Sequence, residues 1–267
     1  MRDKLLREKD LEIRMEKALA DGEFLVYIQP KYWVGTRALA GGEALVRWKS
    51  PDQGFLSPGE FIPLFEKNRF IVKLDQFMFT SVCGLLRQWL DAGIEPRPLS
   101  VNVSRMQFHT PDFVERYIRI KSQYAIPDGL LELEFTESIF FDNVALLSSA
   151  VHELRRAGIK CSIDDFGAGY SSLNVLKALP VSVLKLDGMF FRTAKDDEQA
   201  KIVIRNIMRM AGELKMATVA EGVETHEQVA FLETTGCDII QGYVFARPMP
   251  AAEFTELLAG EGGHAER

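Results

Sequence analysis

"IKCSIDDFGAGYSS" occupies residues 159–172. An apolar run, readable as a strand over 159–164, meets two adjacent aspartates, Asp164 and Asp165, and then a glycine-rich turn. Carboxylates side by side repel one another and resist burial, so a lone Asp-Asp reads most simply as a solvated acidic loop. The same oddity, an apolar strand ending in a polar residue, recurs along the chain, and that recurrence weighs against the solvated loop.

Working outward, short apolar runs alternate with longer amphipathic stretches. Besides 159–164, strands are expected at "FLVYIQP" (24–30), "LAGGEALVRW" (39–48), "LSVNVS" (99–104) and "LLELEF" (130–135). "VSVLKLD" (181–187), "MATVAEG" (216–222) and "CDIIQGY" (237–243) complete the set. Helical patterns fill 70–92, 112–123, 143–157, 197–214 and 225–235. Strands alternating with helices over about 250 residues predict an α/β fold of parallel βα units, eight of which close a TIM-type (β/α)8 barrel. A doubly wound sheet is the alternative, but no Gly-x-Gly-x-x-Gly turn follows any strand. Residues 1–20 read as an amphipathic lead-in helix, or as a linker from an upstream domain. Residues 21–260 then form the barrel, and 261–267 a tail.

Composition narrows the function. The 267 residues carry a net charge of −6, which gives no broad electrostatic reason to bind a nucleic-acid polymer. The three cysteines lie far apart without CxxC spacing, which argues against a disulfide framework and for a reducing, cytoplasmic compartment. No apolar run reaches the roughly 18 residues of a membrane helix, and no pattern of a signal peptide opens the chain.

Barrel strands are normally filled with Val, Ile and Leu, yet here most carry a polar residue near the C-terminal end: Glu43, Asn102, Glu134, Asp164, Lys185, Glu221 and Gln241. Alternation puts Glu43, Leu45 and Arg47 on one face of their strand and Ala44, Val46 and Trp48 on the other. Val183, Lys185 and Asp187 share a face in the same way. The apolar faces are expected against the helices and the polar ones at the barrel mouth, where TIM-barrel chemistry sits. Taken singly, each polar residue reads as a hydrogen-bonded core group or a frayed strand end; on successive strands at matching depth they read as a site. Glu132 shares the face of Glu134, and the sequence assigns it no role.

Glu43, Glu134, Asp164, Asp165 and Glu221 together must protonate or bind cations, because buried like charges are otherwise too costly. Oxygen donors without Cys or His suit Mg²⁺ or Mn²⁺ rather than Zn²⁺. Five carboxylates exceed the usual protein share of one Mg²⁺ and point to two metals, the arrangement suited to in-line displacement at phosphorus. Neighbouring Asp164 and Asp165 can aim together only if the strand breaks there, with Gly167 and Gly169 expected to supply the backbone freedom.

These residues resemble the EAL-domain cyclic-di-GMP phosphodiesterases. The motifs are "YIQP" (27–30), "EALVRW" (43–48), "FIPLFE" (61–66), "VNVS" (101–104) and "LEFTES" (133–138), then "DDFGAGYSSL" (164–173), "LKLD" (184–187), "AEGVE" (220–224) and "QGYVFARP" (241–248). The resemblance covers about residues 15–258 and implies a modified TIM barrel that hydrolyses one phosphodiester of cyclic di-GMP to give linear pGpG. It implies that Glu43, Asn102, Glu134 and Asp164 hold one metal and Asp164 with Asp165 the second. Lys185 would orient or stabilise the attacking hydroxide, Glu221 would be the candidate general base, and Gln241 would complete the water and metal network. Arg47 looks like a phosphate ligand, while Gln29, the Leu45 backbone and Asp187 look like substrate contacts. Glu137 resembles the family's anchor for the glycine-rich loop, and Glu224 has a supporting position. Ca²⁺ is expected to bind but to support turnover poorly. The family further implies a homodimer through the face near 165–180 and an upstream sensory or GGDEF domain in a longer parent chain. One departure is visible: Ala168 stands where the family commonly has Thr, which removes a loop hydroxyl.

Three functions compete on this reading. They are a metal-dependent phosphodiesterase, a non-catalytic receptor or scaffold for the nucleotide, and an unrelated Mg²⁺ barrel such as an enolase-type proton abstractor. Retention of every acidic ligand, the Asn and the Lys favours the enzyme.

Overall fold

A computed structural model describes residues 2–137, 139, 144–167, 176, 180–193 and 197–262. Its strands are β1 (Phe24–Trp33), β2 (Leu39–Ser50), β3 (Gly54–Leu56), β4 (Leu99–Asn102), β5 (Leu131–Thr136), β6 (Lys160–Phe166), β7 (Val183–Leu186), β8 (Ala217–Ala220), β9 (Ile239–Gln241) and β10 (Met249–Pro250). Eight of them close a barrel in the order β1-β2-β4-β5-β6-β7-β8-β9, with β9 returning to β1; β3 and β10 add to its edges. The barrel departs from eight parallel βα units at one strand. β1 runs antiparallel to both β2 and β9, while β2 and β4 to β9 are parallel to their neighbours. The reason lies in the connection: residues 34–38 suffice for a hairpin, whereas a parallel crossover needs a dozen or more residues.

The helices are α1 (Arg2–Ala20), α2 (Pro58–Lys67), α3 (Ile71–Asp91), α4 (Phe113–Gln123), α5 (Val144–Arg156), α6 (Met189–Thr193), α7 (Glu198–Glu213), α8 (His226–Glu233) and α9 (Ala251–Gly262). Two of their starts are written in cap residues whose side chains bond the first turn. Asp197 accepts from the backbone N–H groups of Gln199 and Ala200 ahead of α7, and Thr225 and Gln228 cap one another reciprocally ahead of α8. Helix α2 falls on "FIPLFE" and was not expected as a helix. Pro58 at its first position is compatible with helix geometry, whereas Pro63 lies inside the helix.

Each barrel strand is two-faced. Leu131, Leu133 and Phe135 of β5 are wholly buried outward, in one apolar layer with Leu99, Val101, Ile163, Leu184 and the helices. A second apolar cluster gathers Leu11 and Ala18 of α1 with Phe24, Trp48, Phe61 and Phe65 near the C-terminal end of β2. The inward faces carry Ser100, Asn102, Glu134, Ser162, Asp164, Lys185 and Gln241, as alternation predicts, with Val183, Val219 and Ile239 on the same side. Residues 168–175, which include Ala168 and Gly169, together with Ser138 and 263–267, lie outside the described residues, and so does most of the 165–180 face expected to pair two copies. Among the described residues no helix is long and apolar enough to cross a membrane.

Candidate active site at the barrel mouth

The inward faces set the ligands by register. Glu43 of β2 pairs with Ser100 of β4, Asn102 of β4 with Glu134 of β5, and Glu134 with Ser162 of β6. Next to β7, the register of β6 slips between Ile163 and Phe166, and Asp165 adopts a left-handed backbone with φ 54°. The strand therefore breaks at the two aspartates, but not quite as expected: Asp165 itself takes the unusual conformation, and Gly167 (φ 92°) follows it. Ligand atoms of Asp164, Asp165 and Glu221 thereby come within 4.8 Å of one another.

Lys185, fully buried, stands at the centre of the cluster. Its Nζ lies 2.5 Å from Glu134 Oε2, 2.7 Å from Glu221 Oε1, 3.0 Å from Asp164 Oδ1 and 3.6 Å from Glu43 Oε2. Burial works against its charge, but Asp164, Glu134 and the other carboxylates more than offset that and raise its pKa well above the ordinary value. Burial alone would also raise Glu134, yet Lys185 and a second ammonium, Lys31, pull its carboxyl down to about 2. Glu43 and Glu221 go the other way. Burial raises both, and Lys185 offsets this only in part. Asp165 rises to about 6, through burial first and then the neighbouring Asp164 and Asp187.

Amides hold the remaining geometry. Asn102 Nδ2 donates to Glu43 Oε1 at 2.6 Å, and Gln241 Nε2 donates to Glu43 Oε2 at 2.6 Å and to Gln29 Oε1 at 3.2 Å. Glu43, Asn102, Glu134, Asp164, Lys185, Glu221 and Gln241 are thus brought together, with Asp165 at the rim. Gln29, Leu45, Asp187 and Glu224 line a cavity of about 380 Å³ with Glu43, Asp164 and Glu221. Arg47 opens onto the adjoining cavity of about 490 Å³, which Leu45 and Asp165 also line. Its guanidinium donates to the Val46 carbonyl at 2.8 Å and lies 5.6 Å over the Tyr27 ring. Glu137 Oε2 accepts from the Gly167 N–H at 3.2 Å, and the Glu224 N–H donates to Gln228 Oε1 at 2.8 Å.

The donor set fits hard divalent cations. Every candidate ligand is a carboxylate or amide oxygen, the carboxylates outnumber the two ammonium groups, and Gln241 Oε1 is buried without a hydrogen-bond partner. Sequence reasoning missed Lys31. Its buried Nζ donates to Glu134 Oε1 at 2.9 Å and to Ser100 Oγ at 2.7 Å. The strand was expected to stop at Pro30; continued two residues beyond Gln29, the same alternation would have pointed Lys31 inward. Glu132 is buried beneath Glu134, with its Oε1 unpartnered.

A family model described as the EAL domain matches residues 13–248. A cyclic di-GMP phosphodiesterase of Pseudomonas aeruginosa is 38% identical over 238 residues, covering 89% of this chain and 40% of the relative. The bifunctional diguanylate cyclase/cyclic di-GMP phosphodiesterase MucR of the same organism is 35% identical over 245 residues, covering 92% and 36%. The chain therefore spans well under half the length of these two curated relatives. The solved structure of the MucR phosphodiesterase in complex with cyclic di-GMP superposes with a TM-score of 0.86 at 35% identity, covering 92% of this chain and 99% of that one.

Proposed function

The chain belongs to the EAL-domain family, and from that premise we propose that it hydrolyses one phosphodiester of cyclic di-GMP to linear pGpG with two divalent ions. The observation that carries the reading is the convergence of Glu43, Glu134, Asp164 and Glu221 on Lys185, with Asn102 bonded to Glu43. In this reading Glu43, Asn102, Glu134 and Asp164 hold one Mg²⁺ or Mn²⁺, and Asp164 with Asp165 the other. When bound, such ions supply positive charge that acidifies water and neutralises phosphoryl oxygens.

The chain's own residues do the rest. Lys185, pinned by carboxylates on several sides, presents a fixed ammonium to the attacking water and to charge developing on phosphorus. Glu221 is the proton acceptor: its Oε1 lies 2.7 Å from Lys185 Nζ beside Asp164, within reach of a water held in the cluster. Gln241 and Asn102 hold the two oxygens of Glu43 in place. Arg47 offers a planar two-point donor to a phosphate, and Gln29, the Leu45 backbone and Asp187 contact the nucleotide.

The test is incubation of pure protein with cyclic di-GMP and Mg²⁺, followed by separation of products. Linear pGpG is expected, and none after treatment with a chelator. Recovery of intact, bound nucleotide would favour the receptor reading, and pGpG formation in full with the metal stripped out would sink the two-metal reading.

A further inference from the structure

Lys31 reaches the site from the one barrel strand that runs against the other seven. β1 pairs antiparallel with β2 and β9, and Lys31 stands opposite Gln241. Lys31 is 6% exposed and lines neither cavity at the mouth, so it cannot meet a substrate directly. It approaches Glu134 from the side opposite Lys185: one carboxylate oxygen is 2.9 Å from Lys31 and the other 2.5 Å from Lys185. A carboxylate held at one oxygen can swivel, whereas one held at both has a fixed plane. Ser100 Oγ accepts a second hydrogen bond from the Lys31 ammonium at 2.7 Å and in turn donates to the Gly42 carbonyl at 3.4 Å, which ties Lys31 to the backbone beside Glu43.

We propose that Lys31 is a positioning residue of this site, fixing the distal oxygen of Glu134 so that the other faces the centre of the carboxylate cluster. The proposal rests on the metal-dependent reading above. Glu132 shares the inward face of β5, stands in register with Ser100, and adds a second negative charge near Lys31. Removing Lys31 alone leaves two buried carboxylates short of a partner. Neutralising Glu132 at the same time removes that complication.

Calorimetric titration of Mn²⁺ into the wild type, Lys31→Met/Glu132→Gln and Ser100→Ala tests the proposal, with circular dichroism to establish that each variant is folded. The double variant should bind Mn²⁺ roughly 10–100-fold more weakly, as expected when a partner of a metal ligand is lost. Ser100→Ala leaves every charge in place and removes one hydrogen bond to Lys31; its loss should be roughly threefold to tenfold, and it reports even if the double variant does not fold. Wild-type affinity in the folded variants overturns the proposal. So does tighter binding, which would mean that Lys31 acts only as a repelling charge. Failure of the wild type itself to bind Mn²⁺ sinks the metal-dependent reading and this proposal with it.

Discussion

Glu43 and Arg47 share one face of β2 four residues apart, yet they stand in different surroundings. Glu43 has both oxygens held by amides inside the cluster, while Arg47 lies half-buried on the adjoining cavity. Glu43→Ala should therefore collapse kcat, whereas Arg47→Ala should raise KM by about one to two decades, the worth of a charge-assisted hydrogen bond. Arg47→Lys should rescue only in part, since it lacks the planar fork. Steady-state kinetics on the three variants decide this, and normal turnover by Glu43→Ala ends the ligand assignment. Asp75 of α3 offers a second test at this scale. It is buried, accepts from the Ser104 N–H at 3.0 Å and Gln107 Nε2 at 3.1 Å, and burial pushes its pKa up to about 7 despite both bonds. A raised folded pKa means that the native state favours the protonated form. The stability advantage of that form is complete below the unfolded value of 3.8 and is lost as pH rises towards 7. Asp75→Asn keeps the acceptor oxygen without the charge, so it should match the wild type near pH 4 and exceed it at pH 8 by on the order of 2–4 kcal/mol. Urea unfolding at both pH values measures the difference; equal stabilities at pH 8 would contradict it.

Elements act on the site through two contacts. Glu137, just after β5, holds the N–H of Gly167 just after β6, so Glu137→Ala should free the start of the glycine-rich loop. The expected cost is roughly 10–100-fold in turnover or metal affinity, and wild-type values for both would remove Glu137 as an anchor. Gly242 follows Gln241 of β9 where the chain after β8 crosses it: a Cβ there would lie 2.0 Å from the Val223 carbonyl oxygen and 2.5 Å from its nitrogen. Gly242→Ala must therefore push backbone from backbone, with a cost of about 1–3 kcal/mol, and draw Gln241 from Glu43. Urea unfolding and nucleotide binding should both weaken. The strands that carry these contacts were legible because each buries one face, and a two-residue repeat is hard to mimic. The inward set from Glu43 to Gln241 followed from that repeat alone. Lys31 did not, because the proline at position 30 reads as a strand end, although a proline is tolerated where its missing N–H is not needed. The reversal of β1 was also within reach, since five residues between strands cannot carry a parallel crossover.

At the scale of the whole molecule, the inward charges make the barrel's interior unlike its apolar shell. The native state holds the preformed oxygen cluster and the unfolded chain does not, so divalent ions should stabilise the fold by mass action. At a hundredfold excess over Kd the gain is about 2.7 kcal/mol, or roughly 5–10 °C in Tm for a domain of this size. Mn²⁺, Mg²⁺ and Ca²⁺ should all produce the shift and a chelator should abolish it, while Ca²⁺ supports little hydrolysis because its looser coordination spoils a metal pair. Thermal unfolding beside activity in each ion separates binding from chemistry. A Tm indifferent to saturating Mn²⁺ would place the cations elsewhere.

The reversal of β1 also sets where the chain comes in. In an all-parallel barrel the first strand starts at the floor, remote from the chemistry. Here Phe24, at the start of β1, lies opposite Trp48, towards the mouth end of β2, and α1 packs Leu11 and Ala18 into the same aromatic cluster. The N-terminal helix is thus a doorpost: it stands at the mouth end of the barrel, and a body mounted on it would shade that doorway rather than the back wall.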